Sequence, residues 1–152
     1  PLMRKPSTED TMNPASFDTL VPDTRRNGWI GRAILGIGVI HTMFGLWFMR
    51  RTLAELLAEG LFNTVHGQPT REATFWFLFT GFALLVLGAL VHWLETRGIA
   101  MPAFLGWSLL VLTAAGIFVM PASGFWLLLA PVAGLFRGII SEAKARKRTR
   151  AA

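Results

Sequence analysis

The chain contains no cysteine, which removes disulfides, thiolate metal sites, a cysteine nucleophile and thioether-linked haem from consideration. Charge is also scarce. Asp, Glu, Lys and Arg make up 16% of the 152 residues, against roughly a quarter in an ordinary soluble domain. The deficit is local, because the charges collect at the two ends and in the stretch 50–72 and leave apolar runs between them. That distribution belongs to a polytopic membrane protein. Carboxylates are missing from the interiors of the apolar runs, so a carboxylate-bridged metal site and a Ser/His/Asp hydrolase both lack their acid. No glycine-rich phosphate loop precedes a helix. The first 28 residues hold no apolar segment, so no cleavable signal peptide is expected there. The net charge of +6 would suit nucleic acid, but the positive residues flank the apolar runs, where membrane topology explains them; no nucleic-acid partner is expected.

What the chain does have is a pair of apolar runs, residues 29–49 and 74–94. Each has about 21 residues and at ~1.5 Å per residue covers the ~30 Å hydrocarbon core. Glycines recur every seven residues, as Gly31, Gly38 and Gly45 in the first and Gly81 and Gly88 in the second. Small residues at helical spacing let two backbones approach closely in lipid, so these rows are read as packing faces, with His41 and His92 beside them. Between the runs, Leu53, Leu56, Leu57, Leu61 and Val65 oppose Arg51, Glu55 and Glu59. This predicts an amphipathic helix over 51–63, too short and charged to span, lying in the interface or capping the bundle. A turn follows at His66 to Pro69, with Thr70 as helix cap and Glu72 in the first turn. Two further spans are expected, 102–120 with Pro102 in its first turn and 125–140 with a kink at Pro131. The expected fold is an all-α membrane protein, four transmembrane helices in an antiparallel bundle with one short amphipathic helix. A polar tail, 1–28, precedes the transmembrane domain, 29–140, and a basic tail, 141–152, follows it.

Four spans put both ends on one side. The side of the two tails, with the Glu95–Arg97 turn, carries twelve of the fifteen Lys and Arg residues, so both termini are expected in the cytoplasm. The basic tail, with Lys144, Arg146 and Lys147, suits anionic lipid or an acidic partner. Ordering the N-terminal tail costs on the order of 1 kcal/mol per residue, more than its few apolar groups recover alone. Phe17, Leu20 and Val21 are therefore read as anchors on a partner surface, rimmed by Arg25, Arg26 and the C-terminal arginines.

The segments GWIGRAILGIGVIHTMFG, FWFLFTGFALLVLGALVHWLE and LGWSLLVL…GIFVMPASGFWLLLAP resemble an uncharacterised family of small bacterial four-span membrane proteins. The resemblance runs from about Gly28 to Leu135 and leaves both tails outside. It implies a bacterial inner-membrane location, and the family has no established activity from which catalytic residues could be carried over.

Two functional readings follow. Counted along the helices, His41 lies ~18 Å and His92 ~3 Å from the cytoplasmic edge, too far apart to share one haem iron. No cofactor is expected, although a bound lipid, quinone or pigment at His41 is compatible with the residues. The first reading is a non-catalytic accessory subunit packed among other membrane subunits, in a photosynthetic or respiratory type of assembly. The second is a small membrane enzyme or binder of lipid, quinone or pigment, with His41, Thr42 and Thr80 lining the pocket. By depth, His41 should contact Thr80, and Arg32 should approach Glu95.

Overall fold

The computed structural model describes residues 28–151; the anchors proposed at Phe17, Leu20, Val21, Arg25 and Arg26, and the side chain of Arg146, lie outside what it describes. The described residues are helical and contain no strand. Helix α1 is Trp29–Phe48, α2 is Arg50–Glu59, α3 is Pro69–Thr96, α4 is Ala103–Val119 and α5 is Leu129–Ala151, with a 3₁₀ turn Gly124–Leu128 leading into α5. By length and composition, α1, α3 and the run Gly124–Arg150 can each cross a membrane, and α4 is a shorter apolar helix of 17 residues.

Several boundaries depart from expectation, each for a local reason. The amphipathic helix runs Arg50–Glu59, not 51–63, because Gly60 (φ 78°) takes the chain out of helical conformation. The second long helix starts at Pro69 and ends at Thr96, outside 74–94, since its polar ends are helical too. Thr70 is not its cap: Gln68 holds that position without a side-chain cap, Pro69 opens the helix, and Thr70 lies within it. Glu72 instead accepts the Gly67 N–H at 2.9 Å. The far end of α3 closes with Gly98 at φ 65°. There the N–H of Ile99 reaches Leu94 O (3.0 Å) and that of Gly98 reaches Glu95 O (3.1 Å), the paired closure that satisfies terminal carbonyls.

Pro102 stands just before α4, at its cap, not in its first turn. Pro131 lies close to the start of α5. The chain runs as 3₁₀ up to Leu128 and becomes α-helical at Leu129, so the proline falls in the first turn, where its missing N–H costs least. The basic segment is helical as far as Ala151, because α5 continues through it.

Helix α1 packs along α3, touches α5 with its other side, and α4 packs on α5. The backbones of α3 and α4 do not approach each other. Side chains bridge them at one end, where Ile30 and Ile34 of α1, Val91 of α3, Met101, Leu109 of α4, and Val132 and Leu135 of α5 form one buried cluster.

Candidate functional site

The α1–α3 seam carries the chemistry-bearing residues, and glycine sets its geometry. A Cβ on Gly31 would collide with the backbone of His92, one on Gly88 would stand 2.6 Å from Leu35 N, and one on Gly38 3.0 Å from Leu85 N. Gly81 faces Thr42 and Gly45 faces Leu78 and Phe77. These oppositions share one register, so the heptad glycines are the seam itself, with backbone against backbone as close approach in lipid requires.

At the middle of the seam His41 is half-buried. Its Nε2 lies 3.0 Å from Phe77 O, and its ring stacks on Phe77 with centroids 3.9 Å apart and planes 11° apart. It does not meet Thr80. The Thr80 hydroxyl is exposed and donates to Trp76 O at 2.8 Å. Thr42, the third residue of the expected pocket, is buried and donates to Gly38 O at 2.8 Å. Of the three, His41 and Thr42 share the neighbourhood of Gly81, while Thr80 points elsewhere. The reason is helical phase: Thr80 is next to Gly81 in sequence but about 100° around the helix from it.

At the Gly28 end of the seam Glu95 is 2% exposed, and it meets backbone groups of α1 rather than the Arg32 side chain. Its carboxylate accepts the N–H groups of Gly31 (2.7 Å) and Ile30 (3.4 Å). The first N–H groups of a helix have no partner inside it and carry partial positive charge. Glu95, from the last turn of α3, thus caps α1 across the seam. Beside it His92 Nδ1 lies 3.1 Å from Gly28 O. His41 and His92 are held by carbonyls at different levels of the hairpin.

The opposite end holds a contact that the sequence reading missed. Arg71, buried in the first turn of α3, donates to both Glu59 oxygens (2.6 and 2.7 Å) and to Thr64 O (3.0 Å). This paired geometry ties α2 and the following loop to α3. The Arg71 hydrogen bond holds the Glu59 carboxyl below its ordinary range. A lone arginine opening an apolar helix was the available sign, since such a cation needs an acid or carbonyl nearby.

Among the described residues no group of three or more His, Asp or Glu side chains comes together. A cavity of about 290 Å³ lies away from the seam, where α1 meets α2, lined by Trp47, Phe48, Arg50 and Arg51. Lys144 and Lys147 are exposed on the last turns of α5.

Residues 25–141 match a family of unknown function, DUF6463. The chain belongs to that family. The matched segment takes in every helix up to the basic end of α5, and with it the glycine seam, the Glu95 cap and the Arg71–Glu59 pair. Among curated proteins and solved structures, no match is found.

Proposed function

We propose that this DUF6463 member is a four-span integral membrane protein whose role is structural, an accessory subunit that packs against other membrane proteins. One observation carries the reading: the polar groups placed along the seam are spent on the chain's own backbone. His41 meets Phe77 O, Thr42 meets Gly38 O, His92 meets Gly28 O, and Glu95 takes two helix N–H groups. Groups used in this way fix a packing register. An enzyme would have to break these bonds to use them, and buried interhelical bonds in membranes are worth roughly 0.6 to 1.7 kcal/mol each. Large apolar side chains face outward all round, among them Phe75, Trp76, Phe79 and Phe82 on α3, and suit lipid or a neighbouring span.

In this arrangement α4 is the fourth span, near the lower limit of about 17 residues. Arg97, Arg137 and the basic end of α5 mark the cytoplasmic side of a bacterial inner membrane, and α2 lies on the outer surface. The cytoplasmic cations, Lys144, Arg146 and Lys147 with Arg25 and Arg26, would meet anionic lipid or the acidic rim of a partner.

The test is native purification in mild detergent, with mass spectrometry of what travels with the chain. Stoichiometric membrane proteins that stay bound are the expected result. A monomer that turns over a lipid or quinone, with loss of turnover in His41→Gln, would replace this reading with the pocket reading of His41, Thr42 and Thr80.

A further inference from the structure

We propose that the elbow between α1 and α2 is a binding site for the phosphate head group of an anionic phospholipid, seated between Arg50 and Arg51 with its acyl chain along α1. The inference rests on the membrane reading above and concerns a place that reading leaves unused. At the elbow α1 ends at Phe48, Met49 departs from helical backbone, and α2 begins at Arg50. The bend leaves a cavity of about 290 Å³ whose walls are Trp47, Phe48, Arg50 and Arg51. That volume is at the bottom of the range for small-molecule sites, roughly 300–1,000 Å³. It opens to the surface and has room for a head group, with any longer chain left outside it.

The wall chemistry selects the occupant. Two arginines in the lining of one cavity offer forked donors that match phosphate oxygens. Arg50 is already positioned, its Cζ 4.9 Å above the Trp47 ring and its Nη1 3.4 Å from Trp47 O. The first turn of α2 has no side-chain cap, and helix-start N–H groups favour anions. Glu59 of the same helix is bound to Arg71 at the far end, and no carboxylate lines the cavity. Two cations with no acid in the cavity wall favour a head group of net negative charge over a zwitterion.

The aromatic wall distinguishes a lipid from free phosphate. Trp47 and Phe48 are each 72% exposed, and Phe44 continues the ridge toward the membrane interior, stacked on Phe48 at 5.5 Å between centroids. A soluble anion has no use for such a ridge, whereas an acyl chain can lie along it.

The experiment takes the full chain, delipidated in detergent, and titrates phosphatidylglycerol while native mass spectrometry counts bound lipid. One tightly held phosphatidylglycerol per chain is expected. Its affinity should fall at least tenfold in the Arg50→Gln/Arg51→Gln variant and change less than twofold in Arg97→Gln, which removes an arginine lying over a tryptophan ring elsewhere in the chain. The single Arg51→Gln change serves if the double variant does not insert. Equal binding by wild type and the Arg50/Arg51 variant, equal affinity for phosphatidylcholine, displacement by inorganic phosphate, or loss confined to the Arg97 variant would each overturn the site. Release of the wild-type chain from membranes by alkaline carbonate would instead overturn the membrane reading.

Discussion

The α1–α3 and α4–α5 pairs are both apolar hairpins, but they are closed by different means. In α1–α3 the contact is backbone to backbone through Gly31, Gly38 and Gly88, one end is latched by Glu95 on the first turn of α1, and at the other Arg71 of α3 holds Glu59 of the following helix α2. In α4–α5 the contact is through side chains. Gly106 leaves its would-be Cβ an ordinary 3.4 Å from Ile139, and Gly116 is covered by the Phe125 ring. The threonines differ in the same way. Thr42, Thr74 and Thr80 each donate to the carbonyl four residues back. Thr113 of α4 is fully buried, and its hydroxyl has no hydrogen-bond partner among the described residues. A seam built from backbone and helix-end charges has one register and little tolerance. A seam built from side chains can repack.

The largest break in this contrast should come from Gly31→Leu. The new side chain has no place beside the His92 backbone, so the hairpin must splay, at about 3 kcal/mol, the upper range for overpacking. Gly36 provides the control on the same helix, because nothing lies within 4 Å of its Cβ position, and Gly36→Leu should stay within about 0.5 kcal/mol. Thermal melts in detergent read both. Equal melting points would show that the glycine seam does not hold the hairpin.

Next in size is Glu95→Ala, which strands the Ile30 and Gly31 N–H groups at a helix start and should cost about 2 kcal/mol. Glu95→Gln keeps an acceptor and should recover roughly half of that. If the two variants melt alike, charge and acceptor contribute nothing separable at this cap.

These two residues also show what could be read in advance. The glycine rows were visible because a missing side chain is written in the sequence, and heptad spacing puts it on one face. The register was not visible, since it depends on which backbone N–H meets Glu95, and backbone partners leave no trace in residue type. For the same reason His41 could be seen as buried and polar, but its partner, a Phe77 carbonyl, could not. Helix ends failed in both directions. Gly60 stops α2 earlier than the leucine pattern implied, while the charged run after Ile140 carries α5 onward, because lysine and arginine are good helix formers. The elbow at Met49 has no glycine or proline to announce it.

A smaller effect of opposite sign is expected at Thr113. Thr113→Val removes a buried hydroxyl without a partner at nearly constant shape and should stabilise by about 1 kcal/mol. Thr42→Val, which loses a made bond beside Gly81, should destabilise by roughly 0.5 kcal/mol. Melts of the two valine variants that shifted in the same direction would erase the distinction between the hairpins at this level.

The smallest effect is a local response to pH at the latch between α2 and α3. Glu59 is largely exposed, and the Arg71 hydrogen bond lowers its carboxyl below the ordinary range. A carboxyl whose folded value is depressed contributes stability that is fully present above the ordinary value, about 4.3, and fades as pH falls through the folded value. The latch should therefore be unchanged from neutral pH down to the ordinary carboxyl value and loosen only below it. Spin labels on Leu57 and Phe75, both on exposed positions of α2 and α3, would report it as a distance distribution that is narrow at neutral pH and broadens in acid. In Glu59→Gln the distribution should be broad throughout, with no pH dependence, while the α1–α3 seam keeps its register. Broadening of the wild type already above the ordinary carboxyl value would mean that another group sets the latch; a Glu59→Gln distribution as narrow as wild type would mean that the Thr64 carbonyl alone holds Arg71 in place.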